Sequence, residues 1–267
     1  MHKQITSTQN SFIKEVFQLK EKSRIRKSTQ TFLIEGLREI SLAIKGGYEI
    51  QKLLADSSIM QQADFESIVN NLTSEVEIIE ISHDVYKKLA LRQTTEGVLA
   101  IAKNKNLELK NIQLKNKSPL ILVAEAPEKP GNIGALLRTA DAAGIDAVII
   151  ANPKTDLYNP NIIRSSVGCV FTTNIATGSS SEIIAFLKEK NINIYGAALT
   201  SSVEYQTINF TKASAIVVGT EATGLSKEWL SNTTKNIIIP MRGAIDSMNV
   251  SVSAAIMLFE AVRQRLP

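Results

Sequence analysis

Cys169 is the only cysteine in this 267-residue chain, so no disulfide can close within it. A chain without disulfides suits a reducing compartment, and a cytoplasmic location is expected. Two histidines, His2 and His83, are too few and too isolated for a zinc site, and no metal is expected. His83 reads as a surface residue, and Cys169 as a small buried hydrophobe rather than a nucleophile. No apolar run approaches the roughly 20 residues that span a bilayer. The opening Met1-His2-Lys3-Gln4 leads straight into polar sequence, so neither a secretory leader nor a membrane partner is expected. No internal repeat and no low-complexity segment stands out.

Charge of one sign is barely in excess: 30 Lys and Arg against 26 Asp and Glu, a net +4. The distribution is more informative. Residues 1–27 hold Lys3, Lys14, Lys20, Lys22, Arg24, Arg26 and Lys27 against Glu15 and Glu21. Residues 103–117 hold five lysines against Glu108 alone. Clustered basic residues attract phosphates by counterion release, although a solvated helix face and a soluble linker have the same composition.

The first half alternates helix-like and strand-like segments. Residues 10–27 space Ile13, Val16, Phe17 and Leu19 like one face of a helix. Helices are also expected over 36–45, 61–71 and 82–91, the last with Ser82 as its N-cap. The run 32–35 is short and apolar, and 52–55, 76–81 and 97–102 read as strands. These form a small α/β domain, 1–104. The polar, aperiodic stretch 105–117 reads as a linker. In the remaining 118–267, the runs 120–124, 147–151, 192–198, 215–218 and 237–239 are continuously apolar. Such runs favour a parallel sheet covered on both faces. Helices are expected between them, over 133–143, 181–190 and 227–231, with a last one over 250–265.

Ligands of α/β sheets bind beyond the carboxyl ends of strands, so the loops there matter most. The first runs Glu125-Ala126-Pro127-Glu128-Lys129-Pro130-Gly131-Asn132 into a helix. Asn132 stands where an N-cap would, and Arg138 lies four residues beyond Gly134, able to extend over it toward Asn132. An amide and a guanidinium there suit phosphate or ribose oxygens, and equally a plain cap with a solvated arginine. Gly131, Gly134 and Gly144 do not make G-x-G-x-x-G, which excludes the dinucleotide fingerprint. In the second loop, Gly219 and Gly224 flank Glu221. Its glycines allow close backbone approach to a ligand, and a strand–helix turn has the same pattern. The third loop, 240–249, ends in Ser247-Met248-Asn249 before a helix that is apolar or small nearly all round. That helix is expected to be buried in a core or a subunit interface.

Together these loops resemble the three motifs of the SpoU/TrmH family of RNA 2′-O-ribose methyltransferases, within the SPOUT superfamily. Motif one resembles Pro130-Gly131-Asn132-Ile133-Gly134-Ala135-Leu136-Leu137-Arg138-Thr139-Ala140. Motif two resembles Val218-Gly219-Thr220-Glu221-Ala222-Thr223-Gly224-Leu225. Motif three resembles Ile239-Pro240-Met241 with Ser247-Met248-Asn249-Val250-Ser251-Val252-Ser253-Ala254. Met248 stands where the family usually has Leu, an apolar swap of similar volume. The first half is similar to the L30e-like RNA-binding domain that precedes the catalytic domain in many members, through Phe32-Leu33-Ile34-Glu35-Gly36 and Glu96-Gly97-Val98-Leu99-Ala100.

The resemblance implies a SPOUT domain whose C-terminal segment threads a trefoil knot, an exception to unknotted chains. It implies S-adenosyl-L-methionine as cofactor, lined by Thr200, Gly219, Ile239 and Met248. It implies a reaction site of Asn132, Arg138, Glu221, Ser247 and Asn249, and a homodimer with structured RNA as substrate. The extra domain points to 23S ribosomal RNA. A transfer-RNA enzyme, or an RNA-binding protein without catalysis, would share the motifs. A guanidinium keeps its proton at ordinary pH, so Arg138 is expected to bind phosphate and stabilise the oxyanion rather than act as base.

Overall fold

Buried β-branched and leucine side chains run along the strands of two separate sheets. The computed structural model describes residues 3–72, 75–92 and 96–266. Its chain divides into two compact units: Met1–Lys105 with Asp156–Thr172, and Asn106–Thr155 with Thr173–Pro267.

The first unit begins with β1 (Lys3–Ile5), α1 (Ser11–Glu21), α2 (Ser23–Thr29), β2 (Thr31–Glu35) and α3 (Leu37–Lys45). It continues with β3 (Ile50–Ala55), α4 (Gln62–Asn70), β4 (Glu77–Ile81), α5 (His83–Leu89) and β5 (Val98–Lys103). The strands form one mixed sheet in the order β1-β4-β3-β5-β2. β1, β4 and β3 are parallel, and β5 runs antiparallel to β3 and β2. Ser82 caps α5 as expected, accepting from the Val85 N–H at 3.4 Å. His83 is 43 % exposed and its Nδ1 lies 2.9 Å from Asp56 Oδ2.

The single helix expected over 10–27 is two helices, broken at extended Lys22. The cause is visible at Arg26, whose Nη1 donates to Leu19 O at 2.6 Å and Lys20 O at 3.0 Å, satisfying carbonyls at the end of α1. Its other edge pairs in two-pronged fashion with Asp156, Nε to Oδ1 at 3.1 Å and Nη2 to Oδ2 at 2.8 Å.

The second unit opens with β6 (Leu120–Glu125), α6 (Pro130–Ala143) and β7 (Ala147–Ala151). The chain then returns to the first unit through Asp156–Thr172, which holds α7 (Pro160–Ser165) and a 3-10 turn, Cys169–Phe171. Cys169 there is half-buried rather than fully buried. The segment completes an aromatic cluster. Phe32 stacks on Tyr158 at 4.4 Å, Tyr48 meets Phe171 edge-on at 5.1 Å, and the Tyr48 and Tyr158 hydroxyls lie 3.3 Å apart. Burial pushes the Tyr48 hydroxyl far above the ordinary phenol range.

The second unit resumes with β8 (Ile175–Gly178), α8 (Ser180–Glu189), β9 (Asn193–Ala197), β10 (Ser202–Glu204) and β11 (Ser214–Val218). α9 (Lys227–Leu230), β12 (Lys235–Ile238) and α10 (Val250–Arg265) complete it. All seven strands are parallel, in the order β10-β12-β9-β11-β6-β7-β8. α6 packs along α10, which also meets β11 and β6, while α8 meets β7, β9 and α9. A parallel sheet with helices packed against it is the architecture that the continuously apolar runs predict. The lysine-rich stretch after Lys105 lies against this unit: Thr177 N–H donates to Leu107 O at 2.7 Å, and Leu109, Ile112 and Leu114 pack on its core.

α10 is not buried all round. It buries Ala254, Met257, Leu258 and Ala261 but leaves Val252 and Phe259 about half exposed, at 47 % and 48 %. Its end is pinned by Arg265, which donates to the carbonyls of Ser118, Phe210 and Lys212 at 2.6–2.8 Å. One turn earlier, Arg263 and Gln264 hydrogen bonds hold the Glu260 carboxyl at about 2, below its usual 4.5. A depressed carboxyl contributes stability above the unfolded value and loses it as pH falls through the folded one. The stability gap between wild type and Glu260→Gln is therefore expected to be constant above about pH 4.5 and to shrink toward pH 2. Denaturant titrations across that window measure it, and a gap independent of pH would show that the charge is unused.

Candidate active site

Three strand ends of the second unit, those of β9, β11 and β12, open into one cleft of about 870 Å³. Adjacent parallel strands must end at the same edge of the sheet, so the loops after them converge there. The N-terminus of α6, the segment between β12 and α10, the first turns of α10 and Leu230 of α9 supply the remaining walls.

The loop after β11 is closed tightly. Thr220 and Gly224 exchange two backbone hydrogen bonds of 3.0 Å, and the Thr220 hydroxyl accepts from Thr223 N–H at 3.1 Å. A Cβ on Gly219 would fall 2.1 Å from the Gly224 carbonyl carbon, so no side chain fits while this turn is closed. Gly224 has φ +67°, the left-handed region that glycine enters without strain. The turn sets Glu221 at the mouth of the cleft. Behind it, the buried Glu125 carboxylate accepts from Ser226 N–H at 2.8 Å and so fixes where the loop re-enters helix.

Asn132 does not cap α6. Pro130 occupies the first turn, Lys129 is the N-cap residue, and Asn132 sits within that turn. Its side chain is thereby free for the cleft: Nδ2 donates to Glu221 Oε1, and Oδ1 accepts from Asn249 Nδ2 at 3.2 Å. Asn249 is the N-cap of α10, its Oδ1 accepting from Ser251 N–H at 2.9 Å and Ser251 Oγ at 2.6 Å. Lys129 Nζ completes the chain of contacts by pairing with Glu221. A loop, a helix start and a helix cap are thus tied by one hydrogen-bonded line, Lys129–Glu221–Asn132–Asn249.

Of the residues expected at the reaction site, Asn132, Glu221, Ser247 and Asn249 line the cleft, and so do the expected cofactor residues Thr200, Gly219, Ile239 and Met248. Arg138 does not line it. It is exposed on α6, and among the described residues it makes no hydrogen bond or ion pair, while Gly134, expected beside it on an open face, is buried. Gly134 lies at the margin of the buried stripe of α6 formed by Ile133, Leu136, Leu137 and Ala140; Arg138, four residues on and on the same side as Gly134, falls further from the centre of that stripe and is exposed. Lys129 is a charged cleft residue outside the three motifs. Spacing offers no signal for it, since one lysine in a polar loop looks like any other.

Residues 119–259 match the SpoU rRNA Methylase family, and residues 10–100 match the MRM3-like substrate binding domain. The chain is 29 % identical to the 23S rRNA (guanosine(2553)-2′-O)-methyltransferase RlmP of Bacillus subtilis, over 96 % of this chain and 98 % of the relative. It resembles the crystal structure of an RNA 2′-O ribose methyltransferase at 39 % identity and TM-score 0.84, covering 98 % of this chain and 99 % of that one. An AdoMet-bound rRNA methyltransferase from Sinorhizobium meliloti aligns at 26 % identity and TM-score 0.90, covering 99 % of each chain.

Proposed function

Because the chain belongs to the SpoU rRNA methylase family, we propose that this cleft is where it methylates ribose. The protein is an S-adenosylmethionine-dependent methyltransferase acting on a ribose 2′-hydroxyl of ribosomal RNA, with the 23S species as substrate. The observation that carries the site assignment is the line Lys129–Glu221–Asn132–Asn249, which brings parts of all three motifs into one cleft.

The cleft fits the cofactor. Its volume of about 870 Å³ lies within the range of small-molecule pockets, roughly 300–1,000 Å³. Leu225, Ile237, Met248 and Met257 offer apolar surface to a purine. Among the described residues, 241–248 make no backbone–backbone hydrogen bond, which leaves amides and carbonyls for a nucleoside edge. Thr200, Gly219, Ile239 and Met248 are the residues assigned to it. S-adenosylmethionine brings a methyl group already activated on a sulfonium. The chain's own task is to hold the ribose 2′-oxygen in line and to stabilise charge as its proton leaves. Positioning of this kind contributes about 7–11 kcal/mol when geometry is near attack. Asn132 and Asn249 offer amides to the ribose, with Ser247 beside them and Glu221 orienting Asn132.

Arg138 enters this scheme from a second copy. The half-exposed Val252 and Phe259 of α10 supply an apolar face for a homodimer, and Arg138 projects from the helix packed along α10. The knot that the family resemblance implies would run through the segment after β12. Relatives that act on ribosomal RNA, together with a single cysteine, support a cytoplasmic location.

Calorimetry with S-adenosylmethionine is expected to give one site per chain. Ribose-methylation mapping by reverse-transcriptase stops is expected to lose one 23S position when the gene is deleted. An unchanged map across ribosomal RNA would sink the substrate assignment. An equimolar mixture of Arg138→Ala and Asn249→Ala chains tests the shared site: partial return of activity supports it, and none removes it.

A further inference from the structure

Among the described residues that line the cleft, Lys129 is the one cation, paired with Glu221, and Asp246 is a second carboxylate of the lining. RNA carries a phosphodiester on the carbon next to the one that bears the reacting 2′-oxygen. Within one copy two carboxylates face one ammonium, so Lys129 is the group of that copy that can meet the phosphate, beside any guanidinium that a second copy brings. Arg138 does not line the same copy's cleft. Motif one begins at Pro130, so the family resemblance does not include Lys129.

We infer that Lys129 positions the substrate: its ammonium, held by Glu221, takes the phosphate beside the target ribose and so sets the 2′-oxygen against Asn132 and Asn249. This rests on the cleft being the ribose-methylation site. Three features carry it. The backbone of Lys129 is fixed as the N-cap of the 14-residue α6, with Pro130 behind it. Its side chain is 71 % exposed although its Nζ is tethered to Glu221, so the ammonium is both placed and reachable. An ammonium has three donors, so contact with Glu221 leaves capacity for a phosphate oxygen. The partial positive charge at the start of α6 adds to the attraction. Glu221 therefore has two duties, keeping Lys129 forward and keeping the Asn132 amide turned toward the cleft.

The test uses the full chain, S-adenosylmethionine and protein-free 23S ribosomal RNA from the gene-deleted strain. For Lys129→Ala, KM for RNA is expected to rise about 10-fold with kcat within about 2-fold, as for loss of one charge-assisted contact. The slope of log(kcat/KM) against log[salt] is expected to become shallower by about 0.7–0.9, the signature of one lost phosphate contact. Lys129→Arg is expected to recover both, since it keeps the charge. A merely structural role would not move the salt slope. Unchanged KM and slope in Lys129→Ala would overturn the inference, and so would a loss of S-adenosylmethionine affinity, which would mark Lys129 as structural. If wild type itself transfers no methyl group, the reading of the cleft falls too. An active wild type with an unaltered variant overturns only the role of Lys129.

Discussion

Asn249→Asp is expected to lower methyl transfer by about two to three orders of magnitude and to leave the melting temperature nearly unchanged, because it removes one preorganised donor and keeps the cap. The two halves of the Asn249 amide do different work. Oδ1 caps α10, and aspartate caps as well as asparagine does. Nδ2 donates to Asn132 Oδ1 at 3.2 Å, and aspartate has no donor to offer there. Two acceptors would then face each other, and the Asn132 amide would turn and release Glu221. Asn249→Ala loses both halves. It should match the activity defect and add about 1 kcal/mol of cap loss, a fall of roughly 2–4 °C for a chain of this size. Turnover by Asn249→Asp above about a tenth of wild type would remove Asn249 from the reaction site.

The second large effect is on stability. Asp156→Ala is expected to cost about 3–5 kcal/mol, because it leaves the Arg26 guanidinium buried and unpaired. Arg26 is only 2 % exposed, and Asp156 supplies its sole carboxylate among the described residues. That cost is a large part of the roughly 5–15 kcal/mol that holds a typical domain folded. Replacing both partners by apolar side chains, as in Arg26→Met with Asp156→Leu, should recover much of the loss, since no charge is then stranded. Chemical denaturation of wild type and the two variants checks this. A single variant within about 1 kcal/mol of wild type would mean that water reaches Arg26.

The strands of the second sheet were readable because their residues are apolar without alternation. Leu120–Glu125 and Ala147–Ala151 are buried at every position, as a sheet covered on both faces requires. β8 and β10 went unseen because they are short and weakly apolar, and Ser202–Glu204 is an edge strand with no buried residue. At the start of α6 two rules compete. Asparagine is a strong cap, but proline at the first helical position outranked it and moved the cap to Lys129. The three motif loops meet in one cleft, and the exposure of Arg138 off the buried stripe of α6 is legible from helical spacing, yet the Lys129–Glu221 pair has no local signal. It depends on where the β11 loop arrives, which is tertiary. The break in the first helix is of the same kind, since Arg26 finds its carboxylate 130 residues away.

Because Tyr158 and Phe171 stack with Phe32 and Tyr48, the first unit is complete only when residue 172 has been made. Protein synthesis proceeds from the N-terminus at about 5–20 residues per second. From Lys105 to Thr172 the ribosome therefore needs roughly 3–13 s, and until Asp156, Tyr158 and Phe171 are added in turn Arg26 lacks its carboxylate and the Phe32–Tyr48 pair lacks its two later rings. In that interval β6, α6 and β7 are already emerging. The nascent chain thus carries two unfinished cores at once, and a fragment ending at residue 105 would keep the first one open permanently.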